Sequence, residues 1–130
     1  MKIFAKNKRA FFDYEILETL EAGLELKGFE VKAIKTGHVS LKGAFAIIRK
    51  GQALLLNAHI PPYQPQNISK NYDPSRTRRL LLHKKEINYL VGRTSERGLT
   101  LVPIRLYNKK RKIKLEIGLG KSKKKFDKLK

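Results

Sequence analysis

The chain has no cysteine, no tryptophan and a single methionine in 130 residues. Without cysteine there is no disulfide framework, no thiolate metal site and no thiol nucleophile, and a reducing compartment is expected. Long apolar runs are missing as well: the longest, residues 44–48, is far short of the roughly twenty residues that cross a bilayer. The opening Met1-Lys2-Ile3-Phe4-Ala5-Lys6 is too short and too soon charged for a secretory leader, so a soluble cytoplasmic protein is expected. Acidic residues are also scarce, 11 Asp and Glu against 30 Lys and Arg, for a formal net charge of +19. That excess exceeds what solubility requires and points to a polyanionic partner, nucleic acid first. A membrane surface fits less well, because no continuous apolar face accompanies the basic runs.

What is present suits one core. Residues 1–120 are expected to form a single domain, and residues 121–130 a lysine-rich tail that repels itself in solution and orders against phosphate. Within residues 13–26 the even positions read Tyr14, Ile16, Glu18, Leu20, Ala22, Leu24 and Leu26, a period-two alternation that predicts one long strand. Its odd positions, from Asp13 through Glu15 and Glu21 to Glu25, predict an unusually acidic outer face. Val31 and Ile34 share a helical face over residues 28–35, with Gly37 as a stop. Residues 39–49 and 52–58 predict a hairpin about Lys50-Gly51. Pro61, Pro62 and Pro65 exclude a central strand and predict a surface loop running to Pro74, with Tyr63 its most exposed aromatic.

Leu80, Leu81 and Leu82 suit either a strand or the start of a helix. Ile87, Leu90 and Val91 then share a face, predicting a helix over residues 84–96 with Glu86 in its first turn. Two last strands, residues 99–107 and 113–119, flank the cationic turn Asn108-Lys109-Lys110-Arg111. The resulting fold class is mainly β with about three short helices, a small antiparallel β-barrel of OB-like kind. Consecutive cations at Lys109, Lys110, Arg111 and Lys112 repel one another and favour a phosphate-binding tip over a merely solvated one.

Several blocks identify themselves. Asn7-Lys8-Arg9-Ala10, Asp13-Tyr14-Glu15-Ile16, Glu21-Ala22-Gly23-Leu24 and Leu26-Lys27-Gly28-Phe29-Glu30-Val31-Lys32 resemble the N-terminal signature of the SmpB family of SsrA-binding proteins. Asp73-Pro74-Ser75-Arg76-Thr77-Arg78-Arg79-Leu80-Leu81-Leu82-His83-Lys84-Lys85-Glu86-Ile87 resembles that family's most characteristic segment, and Gly98-Leu99-Thr100-Leu101-Val102-Pro103 with Leu106-Tyr107 a third. Matched blocks in unbroken order are far more specific than one short motif.

The resemblance implies an oval antiparallel β-barrel with three helices. It also implies a bacterial cytoplasmic factor that binds the tRNA-like domain of transfer-messenger RNA and acts in trans-translation, the rescue of stalled ribosomes. The implied partners are that RNA, the ribosome and elongation factor Tu. No cofactor and no membrane partner are expected, and the chain is expected to be monomeric. The family's RNA-contacting positions fall on Asn7, Glu21, Leu81 and Lys114. Around them Lys8, Arg9, Lys32, Arg76, Arg78, Lys109, Lys110, Arg111 and Lys112 are expected to face RNA, and Lys121, Lys123, Lys124, Lys125 and Lys128 to face the ribosome. Glu21 is the most informative, since a carboxylate beside RNA repels phosphate unless it reads a specific donor. The tail departs from the family pattern at Ser122-Lys123-Lys124, where Gly-Lys-Lys is usual, and at Leu129, but keeps Phe126-Asp127; it is expected to be shorter than the family norm.

Two other readings stand beside this one. Charge alone would equally suit a non-specific or ribosomal RNA-binding barrel. The acidic face of Glu15, Glu21 and Glu25 could carry metal-assisted phosphodiester chemistry, but alternating glutamates on an exposed strand more often serve solubility, and no enzyme is expected. His38, His59 and His83 are far apart and lack acidic neighbours at ligand spacing, so no metal is expected either.

Overall fold

The computed structural model describes residues 1–64, 70–96 and 98–123. The chain begins with β1 (Ile3–Lys6), α1 (Ala10–Asp13), β2 (Tyr14–Leu24) and α2 (Gly28–Lys35). A hairpin follows, β3 (Phe45–Arg49) and β4 (Gln52–Leu56), then β5 (Arg78–Leu81) and α3 (Lys84–Thr94). Two long strands, β6 (Leu99–Lys109) and β7 (Lys112–Ser122), complete it. All pairings are antiparallel, and they close into a ring in the order β6, β3, β4, β5, β2, β7 and back to β6, with β1 added to β6. Ring closure pairs each of the six ring strands on both sides, the β3–β6 contact being the single pair Ala46 with Leu101. The interior is filled by Leu55, Leu80, Leu106, Leu115, Ile117 and Leu119, to which α2 adds Ile34 and α3 adds Leu90.

The alternation along β2 is real but changes phase. A bulge between Ile16 and Glu18 inserts one extra residue opposite β7, and a one-residue slip turns every later side chain to the other face. Leu20, Ala22 and Leu24 therefore point into the main core, whereas Tyr14 and Ile16 join Ala10, Val102 and Ile104 in a smaller cluster beneath α1. Gly118 makes that second cluster possible: a Cβ there would lie 2.9 Å from Ile104 Cδ1 and 3.1 Å from Ile16. The continuous acidic face expected of this segment is divided at the bulge, with Leu17 left exposed as the extra residue.

Other boundaries moved for local reasons. The strand expected from residue 39 begins only at Phe45, because Ser40 makes an isolated bridge to His59 and Leu41 turns into the core. Leu80 and Leu81 belong to a strand, the residues before them pairing with β4 and Gly23 and Leu24 pairing with Leu81 and Leu80. The α3 helix stops at Thr94, where the Thr94 and Ser95 hydroxyls donate to the Leu90 and Gly92 carbonyls. β1 and α1 are four residues each, too short to show a period in the sequence. The tail does not begin at residue 121: Lys121 pairs with Glu15 and Leu99 inside β7, and Lys123 donates from its backbone to Asp13 O and from Nζ to Phe11 O. Lys124, Lys125 and Lys128 lie outside the described residues.

Candidate nucleic-acid interface

Two of the cations expected to meet RNA are held by Glu30, one of them wholly enclosed. Arg78 has no exposed surface, donating Nε and Nη2 to Glu30 Oε2 at 2.9 and 2.7 Å and Nη1 to Ala58 O at 2.6 Å. Its guanidinium cannot reach a phosphate, and the RNA-contact expectation for Arg78 is corrected to a structural one. Arg76 donates to both Glu30 oxygens, and its side chain remains 27% exposed. The Tyr72 hydroxyl and the Lys27 N–H complete the ring of donors around Glu30. Burial opposes the Glu30 charge, but Arg76, Lys27, Arg78 and Tyr72 outweigh it and hold the carboxyl down to about 2. This cluster clamps α2 onto the segment leading into β5.

The exposed side of β5, β2, β7 and β6 brings the remaining residues together in two adjacent cross-strand rows. One row reads Leu81, Gly23, Lys114, Tyr107, and the next reads Glu21, Glu116, Arg105, with Lys6 of β1 at its end. Three of the four family-derived positions, Glu21, Leu81 and Lys114, thus converge from three strands. Leu81 is 48% exposed and rests against Gly23, where a Cβ would come within 3.3 Å of its own. It forms a ridge between two hollows. One, about 430 Å³, is lined by Glu21, Arg79, Leu81, His83 and Lys114; the other, about 350 Å³, sets Lys35, Arg111, Lys112 and Lys114 around Leu24 and Val31. An apolar ridge beside cations suits an unstacked base with its phosphate.

Glu21 stands directly opposite Glu116, and like charges so placed destabilise a sheet. β6 relieves both: Arg105 lies 3.0 Å from Glu116, while the Tyr107 hydroxyl donates to Glu21 Oε2 at 2.6 Å and Lys109 Nζ at 3.2 Å. The Tyr107 bond is the main cause that lowers the Glu21 pKa; partial burial opposes it, and Lys109 and Lys114 assist. Lys109 is therefore shared between Glu21 and any phosphate. Lys110 and Arg111 alone form the turn, both exposed and both at positive φ, 49° and 66°, and Lys112 pairs across from Lys109.

Asn7, Lys8 and Arg9 gather elsewhere. On one side of β6, β1 covers Arg105 to Tyr107 and β3 covers Leu101, and Pro103 between them has no N–H to offer a partner. Asn7 closes this gap, its backbone donating to Ile104 O at 2.7 Å and its Nδ2 to Pro103 O at 2.8 Å, with Oδ1 accepting from Arg9 N. A cavity of about 750 Å³ opens there, lined by Asn7, Lys8, Arg9, Tyr14, Leu41 and Lys42. Lys32 stands 5.9 Å over the Tyr63 ring, which packs against the core instead of lying most exposed. Sequence reasoning did not single out Lys35 and Lys42, which line the second and third of these hollows, or Tyr107, which the strand register sets beside Glu21. Among the described residues no three His, Cys, Asp or Glu side chains cluster as metal ligands, and no helix is long and apolar enough to cross a membrane.

Comparison with known proteins gives one family throughout. The family model described as SmpB protein matches residues 4–130. The SsrA-binding protein of Gloeothece citriformis is 52% identical over 98% of this chain and 82% of its own length. That of Geobacillus kaustophilus is 54% identical over 98% of this chain and 81% of its own. A solved chain from a study of tmRNA-SmpB and the centre of the bacterial ribosome superposes with a TM-score of 0.73, at 46% identity, covering 92% of this chain and 84% of that one. The β-ring, the matched blocks and these relatives agree: the chain belongs to the SmpB family.

Proposed function

We propose that this protein binds the tRNA-like domain of transfer-messenger RNA and supports its delivery to stalled ribosomes in trans-translation. The observation that carries the reading is the convergence of Glu21, Leu81 and Lys114 on one rim, flanked by the cationic β6–β7 turn. Leu81 packs against an unstacked base, Lys114 and the turn neutralise phosphate, and Glu21 selects a donor. The relatives' designation as SsrA-binding proteins and the ribosomal setting of the solved neighbour support the same partners. Asn7, Lys8 and Arg9 contribute from the wall gap, Arg76 and Lys32 from the clamp side, and the lysines from Lys121 through Lys128 address the ribosome. The same reading takes elongation factor Tu as a further partner. The protein works in the cytoplasm as a monomeric binding factor and not as an enzyme.

The test is affinity for the tRNA-like domain and for a length-matched duplex across a salt series. Specific recognition predicts an affinity ratio of at least about 10³ at physiological salt. Equal affinities with equal salt slopes would leave only counterion release and favour the non-specific barrel.

A further inference from the structure

The surroundings of Glu21 are more detailed than a cationic surface requires. Its Oε2 takes two donors from β6, the Tyr107 hydroxyl at 2.6 Å and the Lys109 ammonium at 3.2 Å. Among the described residues no hydrogen-bond donor reaches Oε1. The side chain keeps 33% of its surface exposed and lines the hollow beside Leu81. A free carboxylate offers both oxygens at once, as when it grips a guanine edge or an arginine fork. A two-oxygen grip would add a third donor at Oε2, crowding Tyr107 and Lys109; it would displace the exposed Lys109 ammonium or the hydroxyl of a tyrosine only 6% exposed, the second a costly outcome for an enclosed polar group.

We propose that Tyr107 is the positioning residue of this rim, fixing Glu21 through one oxygen so that Oε1 accepts from a single RNA donor, a 2′-hydroxyl or one exocyclic base amine. The proposal rests on the rim being the RNA site described above and adds what that site reads. Burial and the adjoining carboxylate both keep the Tyr107 phenol protonated, so it remains a donor wherever RNA is handled. Holding the carboxylate in one orientation before binding removes an ordering cost that a freely rotating glutamate would incur in the complex. A single acceptor also suits RNA chemically, because a 2′-hydroxyl, or the one N–H of an exocyclic amine turned toward it, offers a single proton where the anionic backbone offers none.

A double-mutant cycle on the full chain tests this, with the tRNA-like domain as specific probe and a length-matched duplex as the other. Tyr107→Phe is expected to weaken the specific complex about tenfold, the scale of one hydrogen bond to a charged group. It should leave the duplex affinity unchanged and add nothing in the Glu21→Ala background. Single 2′-deoxy substitutions, and single replacements of guanosine by inosine, adenosine by purine riboside or cytidine by its 4-deamino analogue, separate the two donor sources. One of them should weaken binding to the wild type and be silent in Glu21→Ala. If Tyr107→Phe weakens both probes alike, or weakens binding equally in the Glu21→Ala background, Tyr107 is merely structural and the proposal fails. If no modification depends on Glu21, the single-donor assignment fails. If Glu21→Ala leaves the ratio of specific to duplex affinity unchanged, the rim reading itself fails, an outcome distinct from the loss of positioning alone.

Discussion

Glu30 on α2 and Glu21 on β2 each accept from a tyrosine hydroxyl and from a cation, Tyr72 with Arg76 and Arg78 in one case, Tyr107 with Lys109 in the other. Their surroundings differ in what is left over. Glu30 is fully buried and both its oxygens are saturated, Oε1 by Lys27 N and Arg76, Oε2 by Tyr72, Arg76 and Arg78. Glu21 lies at the lip of a hollow with one oxygen engaged. The same chemical parts thus make a lock where the acceptor is exhausted and, on the reading proposed above, a reader where it is not. The distinction follows from position: α2 is folded over the segment before β5, whereas the outer row of β2 looks into solvent.

The strongest way to break the contrast is Glu30→Gln. It leaves the buried Arg78 charge without its counter-ion, and breaking a buried pair on one side costs about 3–5 kcal/mol. The midpoint of urea unfolding should fall accordingly, while the folded fraction keeps its ratio of specific to duplex RNA affinity. Glu21→Gln is the mirror case: the amide oxygen still accepts from Tyr107, so stability should move by no more than about 1 kcal/mol while the affinity ratio drops. If the two variants behaved alike in both measurements, the division into lock and reader would be wrong.

Acid sharpens the same comparison. The Glu30 carboxyl is held at about 2 in the folded protein against an ordinary value of 4.5. The unfolded chain therefore binds the extra proton between these values, and stability rises with pH across that window. The contribution, about 3 kcal/mol for a shift of this size, is complete above pH 4.5 and is lost as pH falls through 2. Urea midpoints of the wild type and Glu30→Gln should converge over that interval and stay apart at neutral pH. A constant separation down to pH 2 would mean that the clamp does not depend on the Glu30 charge.

Much of the frame was legible because period-two runs such as Leu20, Ala22, Leu24 and the helical pair Ile87 and Leu90 state their partners' direction without any neighbour, although Val91, expected on the same face, lies 48% exposed. The bulge at Leu17 was not legible, since an inserted residue shows only against the opposing strand, and β7 supplies that register. Nor could the sequence separate Arg78 from Arg79, adjacent cations of which one is enclosed and the other paired loosely with Glu25 at 3.8 Å. Alternation along β5 decides it, with Arg78 and Leu80 inward and Arg79 and Leu81 outward. The rim was half legible. Glu21, Leu81 and Lys114 came from matched blocks, but Tyr107 reads as one more aromatic until pairing places it opposite Lys114 and beside Glu21.

The smallest expected effect concerns the turn beside Glu21's lysine. Both hairpins turn through two residues at positive φ, Lys50 and Gly51 at 50° and 74°, Lys110 and Arg111 at 49° and 66°. Such turns favour Asn-Gly, and a side-chain-bearing residue in the left-handed region costs about 1 kcal/mol or more relative to glycine. The first hairpin meets the preference at one position; the second, at the proposed RNA rim, places a cation at both. Lys110→Asn combined with Arg111→Gly should therefore raise stability by about 1 kcal/mol, read as a higher melting temperature. Removing two cations should also weaken binding to the tRNA-like domain and the duplex together, flattening the plot of log affinity against log salt by up to about 2. That pattern is the complement of Glu21→Gln, which should change the ratio and leave the slope. A more stable variant with an unaltered slope would show that the turn's charge lies outside the phosphate path, confining recognition to the hollows on either side of Leu81.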